Sequence, residues 1–338
     1  MMRLPPFTYL PAPTVEAAVK LLGEHGADAM LVAGGTDLYP NMKRLQFEPK
    51  VLVGLASVGE MRGVRGNARD GYTVGAGTTL SLVAHHKDIA KHYPGLATAA
   101  GLVSSPQLRN MGTIGGNLCV DTRCNYYNQS FAWRKSIGFC MKKDGDICLV
   151  APGSPRCWAV SSSDTAPAAW SLGAKVRLVG PQGERVIPAA ALYRDDGIEY
   201  LAKQPNEILT DVILPPVEGR RSVYMKLRRR GSFDFPVLGV AVTVRFDGDR
   251  VSEARVVLGA VASQPREATK AAEVLVGRRL TAELIDAAAQ AAAGPAKPLD
   301  NTDFTHPYRK KMTRVFVARA LRRIAGLPAS PKNDEELS

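Results

Sequence analysis

Four of the chain's five cysteines, Cys124, Cys140, Cys148 and Cys157, sit in one stretch, and the fifth, Cys119, lies five residues upstream of it. Thiolates are nucleophiles and soft metal ligands, and none of these is spaced as a CxxC redox pair. Four of them in one segment suit a cubane iron–sulfur cluster or a tetrahedral zinc. Fifteen, seven and eight residues separate successive cysteines, intervals that match neither the bacterial ferredoxin run nor a zinc ribbon, so spacing alone leaves iron–sulfur, zinc and no metal open. Tyr126, Tyr127, Phe131, Trp133, Phe139 and Trp158 make the segment denser in aromatics than the chain's 7%. Such rings can shield a cluster from water, or simply give an inserted segment a core of its own. Cys119 reads as a small buried hydrophobe.

A second chemistry lies in two glycine-dense turns, "VAGGTDL" and "MGTIGGN". Neither is a Rossmann GxGxxG or a Walker A loop. Gly34 and Gly35 permit positive φ and remove the Cβ, so backbone N–H groups can converge on an anion. A helix expected to start after Thr36 aims its positive end at the same place. An ordinary tight turn explains this loop equally. In the second turn, Gly112, Gly115 and Gly116 crowd small residues around Thr113 and Asn117, whose side chains can bond polar ligand edges. Two such turns suit one long ligand with a central pyrophosphate, a dinucleotide.

The elements that position these loops follow from periodicity and punctuation. Thr14 caps a helix running through Val15, Val19, Leu21 and Leu22 to Gly23. "VLVGL" (51–55) and "YTVGAG" (72–77) read as strands, 79–103 as helical, and Ser105-Pro106 as a helix start. "TAPAAWSLGAKVRLVG" reads as helix then strand, and "ILTDVILPP" (208–216) as a strand closed by prolines. A domain boundary falls near 217–221. Beyond it a β-meander turns at Asp247-Gly248. Helices follow at about 266–275 and 281–293, then a basic helix to about 325. In that helix Arg309, Lys310, Lys311, Arg314, Arg319, Arg322 and Arg323 surround a stripe of Phe316, Val317, Ala320, Leu321 and Ile324. Residues 327–338 are expected to be a disordered tail.

The 338 residues carry a formal charge of +12. Nucleic acid is the reflex inference, but Arg228, Arg229 and Arg230 are one short run, the rest of the basic residues decorate a docked helix, and no nucleic-acid signature is present. A solvated surface or an acidic protein partner is expected, and no nucleic acid. No window approaches the length of a membrane span, and no signal-peptide run opens the sequence, so the expected location is the cytoplasm. His25, His85, His86, His92 and His306 share no motif; with no triad, HExxH or paired carboxylates either, no catalytic residue is expected.

"LVAGGTDLYPNMK", "NMGTIGGNL", "SDTAPAAWSLGA", "NEILTDVILPP" and "YMKLRRRGSFDFPVLGVAV" occur in this order. Together they resemble the FAD-binding subunits of the molybdenum hydroxylases, the xanthine dehydrogenase and carbon monoxide dehydrogenase group. The resemblance implies an α+β chain: an FAD-binding fold of the vanillyl-alcohol oxidase (PCMH) type, two α+β subdomains at about 1–56 and 57–218, with a C-terminal α+β domain at 219–326. It implies that Leu31, Val32, Ala33, Gly34, Gly35, Thr36, Asp37 and Leu38 wrap the pyrophosphate of FAD. Gly112, Thr113, Ile114, Gly115, Gly116 and Asn117 would line the dinucleotide, with Val103 nearby. Asp164 would bind sugar or ribityl hydroxyls, Leu209 would touch the adenine side, and Lys226 would lie close to the cofactor. Without the resemblance, Asp164 reads equally as a helix-start residue and Lys226 as a solvated strand lysine.

In ordinary subunits of this family the segments matching Gly116-Asn117 and Ser163-Asp164 almost adjoin. Here about forty extra residues, roughly 122–162, intervene and hold the four cysteines. The stretch from Asn117 to Pro167 resembles the β subunits of 4-hydroxybenzoyl-CoA reductases, which implies a [4Fe–4S] cluster on Cys124, Cys140, Cys148 and Cys157. It further implies an electron-transfer subunit active only in a complex, a dimer of heterotrimers with a molybdopterin-binding large subunit and a [2Fe–2S] small subunit. Ferredoxin would be the donor, and 4-hydroxybenzoyl-CoA would be dehydroxylated to benzoyl-CoA in anaerobic aromatic degradation. A flavin subunit of a xanthine or CO dehydrogenase-type hydroxylase, passing electrons outward to NAD or a quinone, is the alternative.

Overall fold

The computed structural model describes residues 3–328. The expectation of a disordered tail therefore lies, for 329–338, outside the described residues. Three sheets carry the architecture, and the chain is α+β. Strands β1 (Thr8–Pro11), β2 (Ala29–Val32) and β3 (Val51–Gly54) form a parallel sheet in the order β1-β3-β2. Parallel neighbours need a crossover. The helix Val15–His25 supplies the first, its N-terminus capped by the Thr14 hydroxyl on Ala17 N. The glycine turn and the helix Leu38–Lys43 belong to the second. That helix starts one residue later than expected and has only six residues, so it is a short extension of the turn.

Strands β4 (Val64–Asn67), β5 (Gly71–Gly75), β6 (Lys175–Gly180), β7 (Gly183–Pro188) and β8 (Ile208–Leu214) form an antiparallel sheet in the order β4-β5-β8-β6-β7. Between β5 and β6 run the helices Leu80–His85, Lys87–His92 and Pro94–Gly101, the second glycine turn, and the cysteine segment. One continuous apolar core joins these two sheets, from Ala12 and Val53 through Val74 and Leu96 to Val212.

The chain crosses to the third sheet between Leu214 and Arg220. Strands β9 (Arg220–Leu227), β10 (Leu238–Asp247), β11 (Arg250–Gly259) and β12 (Arg266–Glu267) form an antiparallel meander, with Gly248 at φ +59° in the β10–β11 turn. The expected helix at 266–275 is split: its first two residues pair as β12, and the helix proper is Thr269–Leu275. Helices Ala282–Ala292 and His306–Ala325 complete a second core with Val240, Val242, Leu258 and Leu321. The basic helix buries Val317, Ala320, Leu321 and Ile324, but Arg309 does not lie on its solvated face. Arg309 is fully buried and donates to the carbonyls of Val237, Leu299 and Ala260. Burial of a guanidinium is tolerable when its fork meets carbonyls in this way. Among the described residues no helix is long and apolar enough to cross a membrane.

Candidate functional site

The two glycine turns meet. A Cβ on Gly34 would run into the Met111 carbonyl, and one on Gly112 would stand 3.3 Å from Thr36 Oγ1. Gly35 has φ +68°, a conformation that disfavours other residues. The turns form one wall of a cavity of about 730 Å³. Leu31, Val32, Ala33, Gly34, Gly35, Thr36, Asp37 and Leu38 line it, as do Val103, Gly112, Thr113, Gly115, Gly116, Asn117, Asp164 and Leu209. Ile114 points elsewhere: it is fully buried in the main core, where the helix Ile114–Leu118 needs an apolar anchor. Lys226 stands behind the wall.

Several of these side chains are held by their own protein. Thr113 caps its helix by accepting from Gly116 N at 3.1 Å. Asn117 Oδ1 accepts from Ser163 Oγ (3.0 Å), Thr165 N (3.1 Å) and Thr165 Oγ1 (2.7 Å). The amide oxygen expected to meet a ligand is thus spent internally, and only the amide N–H₂ is left for one. Asp164 opens the helix Thr165–Ser171 but makes no cap bond. Its Oδ1 accepts from Tyr224 Oη (2.7 Å) and its Oδ2 from Lys226 Nζ (2.8 Å), which also donates to Leu102 O (3.0 Å). Both side chains of the pair are at most 2% exposed, so the solvated-lysine reading of Lys226 fails. Burial pushes the Asp164 carboxyl up and the Lys226 ammonium down, and their mutual attraction opposes both shifts. Lys226 positions Asp164, which reaches the cavity.

The start of the cysteine segment continues the wall, through Asp121, Arg123, Cys124, Asn125 and Asn128. Arg123 pairs with Asp37 of the first glycine turn, donates to Asn41 Oδ1 at 3.2 Å and lies 4.3 Å over the Phe235 ring. One guanidinium therefore ties the glycine turn, the cysteine segment and the third sheet's β9–β10 loop together. Arg123 Nε, Asp121 Oδ2, Asn128 Nδ2 and Asn301 Oδ1, all on cavity residues, are buried without a hydrogen-bond partner. Buried polar atoms of this kind call for a polar ligand. Together with the side-chain-free cradles they fit a long polar cofactor such as FAD.

Cys124, Cys140, Cys148 and Cys157 are between 4% and 8% exposed, and none forms a disulfide. Cys124, Cys140 and Cys157 pack in one small cluster with Tyr127 and Ala159. Burial pushes the Cys124 thiol up to about 12 and the Cys157 thiol up to about 11; Cys140 adds to both shifts and Cys148 to the second. Cys140 and Cys157 thus lie within electrostatic reach of Cys124, and Cys140 and Cys148 within that of Cys157. Ala159 N donates to Cys157 Sγ at 3.4 Å. Among the described residues no three His, Cys, Asp or Glu converge closely enough to hold a metal ion. Cys119 is half-buried and lines the cavity instead of belonging to this group. Gly197 is a residue that sequence reasoning missed. A Cβ there would lie 2.6 Å from Cys157 Sγ, and its N–H donates to Cys157 O at 3.0 Å. Nothing in its local sequence, "DDGIE", marks this contact.

Residues 5–217 match the family model for the FAD binding domain in molybdopterin dehydrogenase, and residues 222–324 match that for the CO dehydrogenase flavoprotein C-terminal domain. The chain is 30% identical over 318 residues to the carbon monoxide dehydrogenase medium chain of Afipia carboxidovorans, covering 94% of this chain and 96% of that one. It is 33% identical over 269 residues to the aldehyde oxidoreductase FAD-binding subunit of Escherichia coli, covering 77% and 82%. Among solved structures, a carbon monoxide dehydrogenase from Hydrogenophaga pseudoflava lacking the Mo-pyranopterin moiety of its cofactor superposes with a TM-score of 0.78 at 29% identity, over 95% of this chain and 98% of that one. The chain therefore belongs to the FAD-binding subunit family of the molybdenum hydroxylases.

Proposed function

We propose that this chain is the electron-transfer subunit of a molybdenum-dependent reductase of the 4-hydroxybenzoyl-CoA type. In this reading it takes electrons from a low-potential donor such as ferredoxin and serves partner subunits that carry [2Fe–2S] centres and molybdopterin. FAD would occupy the glycine-lined cavity and a [4Fe–4S] cluster would sit on Cys124, Cys140, Cys148 and Cys157. When bound, FAD exchanges one or two electrons and a cluster exchanges one at a time. The observation that carries the reading is the inserted segment itself: four buried, disulfide-free cysteines, the first of them on the flavin-cavity wall.

The chain's own residues have defined tasks. The glycine turns bring backbone N–H groups to the pyrophosphate, Asp164 offers its carboxylate to sugar hydroxyls, and Lys226 and Tyr224 hold that carboxylate in place. Tyr127 and the apolar side chains beside the thiols keep water from them. The likeness to carbon monoxide dehydrogenase and aldehyde oxidoreductase subunits favours a second reading, a flavin subunit that sends electrons outward to NAD or a quinone. Iron, sulfide and zinc analysis of the anaerobically purified complex separates the two. About four iron and four sulfide per FAD, with 4-hydroxybenzoyl-CoA reduced by a reduced ferredoxin, is the expected result. Zinc without sulfide, together with NAD- or quinone-linked oxidation, overturns it.

A further inference from the structure

The partition between the flavin cavity and the cysteines contains a buried ion pair. Lys142 follows Cys140 by two residues, and its side chain is 5% exposed; that of its partner, Asp121, is 6% exposed. The ammonium donates to Asp121 Oδ1 (2.8 Å), Thr122 Oγ1 (2.8 Å) and Gly197 O (2.6 Å), which uses all three of its protons. It also faces two rings, with centroids at 4.8 Å for Tyr127 and 5.6 Å for Tyr200. The pair touches both sites. Asp121 and Tyr200 line the flavin cavity, while Tyr127 packs against Cys124, Cys140 and Cys157. Gly197, the third acceptor, is the glycine pressed against Cys157 Sγ.

A buried ion pair is a weak source of stability compared with apolar packing. What it supplies is a fixed field in a region of low dielectric, where charges act over longer distances than in water. Adding an electron to a flavin or to a thiolate-bound cluster makes the site more negative. A nearby cation favours that addition and a nearby anion opposes it. At present the two charges balance. Asp121 Oδ2 is buried with no geometric hydrogen-bond partner, and the Lys142 ammonium is the cation paired with this carboxylate.

We infer that the Lys142–Asp121 pair is a positioning and potential-setting element shared by the flavin and cysteine sites. The bonds from Lys142 to Asp121, at the root of the segment, and to Gly197 hold the cysteine segment against the rest of the chain, and the balance of the two charges sets the reduction potentials on both sides. The flavin half rests on the family assignment, and the cluster half on the reading proposed above.

The test is spectroelectrochemical titration of the complete complex, with electron paramagnetic resonance reporting the cluster. Asp121→Asn keeps the shape and leaves Lys142 charged on two remaining acceptors, so the midpoints of flavin and cluster both rise, with FAD, iron and sulfide contents unchanged. Lys142→Met moves both midpoints down, and the double variant returns them towards wild type. Midpoints in Asp121→Asn that equal the wild type, or that fall, overturn the inference. Should Lys142→Met fail to retain its cofactors, the sign in Asp121→Asn decides alone. Wild-type complex without sulfide overturns the cluster reading, and the flavin midpoint of Asp121→Asn then decides this inference by itself.

Discussion

The glycine turns and the cysteine segment face one cavity but are built on opposite principles. The turns work by omission. Gly34 and Gly115 lack side chains where their neighbours come too close for one; a Cβ on Gly115 would lie 2.6 Å from that of Ala76 and 2.9 Å from its carbonyl oxygen. They are embedded between regular elements and share the main core. The cysteine segment works by side chains placed on irregular backbone. Between Cys124 and Cys157 only the six-residue helix Phe131–Ser136 is regular, and Phe139 and Asp144 adopt positive φ. Its own core is small. A cradle made of backbone fails when an atom is added, whereas a set of sulfur ligands, as in the function proposed above, fails when one atom is exchanged.

The largest expected effects come from doing each of these. Cys157→Ser swaps a soft ligand for a poor one in an unchanged volume. Under the proposed function, iron and sulfide fall to background while FAD per chain is retained. Gly34→Ala does the reverse. The added methyl meets fixed backbone at a cost of about 1–3 kcal/mol, lowering FAD affinity about five- to a hundredfold, with iron and sulfide retained. Cofactor analysis after desalting reads both, and simultaneous loss of FAD and iron in either variant breaks the separation of the two regions.

An intermediate effect tests where the regions join. Gly197→Ala places a Cβ against Cys157 Sγ and the Ala159 amide, and one of the two must give way. The expected cost is about 1–3 kcal/mol, expressed as reduced iron and sulfide content with FAD unchanged. Unaltered iron content would show that Cys157 has slack.

Sequence and structure agree best where local chemistry decides. The turn at Gly34-Gly35, the Thr14 cap, the helix start at Ser105-Pro106 and the strand over Val51–Gly54 follow from residue type and short-range spacing. What stayed hidden depends on partners far along the chain. Arg123 meets Asp37 across 86 positions, and Lys226 meets Asp164 across 62. No periodicity in either segment announces those meetings. Asn117 has the right type to face a ligand, yet Ser163 and Thr165 claim its oxygen first. Arg309 sits in a basic run and is nevertheless the most buried of its neighbours, because three carbonyls converge on it from elsewhere. The extra cysteines are legible as a group, but the place of Cys124 on the wall of the glycine-lined cavity is a matter of tertiary packing.

The smallest effect is expected at the cavity's outer edge, where the β9–β10 loop contributes Arg230, Phe233, Asp234 and Phe235. Phe233 holds φ +72° and donates its N–H to Ser104 O at 3.0 Å, and the loop is braced by the Arg230 backbone and guanidinium on Asp234. Hydrogen bonds from Arg230 hold the Asp234 carboxyl below its usual range, although partial burial pulls the other way. A depressed carboxyl contributes fully above its ordinary value of 3.8 and loses that contribution as pH falls through the lower, folded-state value. The brace is therefore intact throughout about pH 5 to 7 and adds no pH-dependent step there. Asp234→Asn removes the charge at every pH. Because Arg230 is largely solvated, the change in FAD affinity is about fivefold or less and is flat over the same range. Equilibrium dialysis with flavin fluorescence measures it. A loss as large as that of Gly34→Ala would make this loop, and not the glycine cradle, the principal hold on FAD.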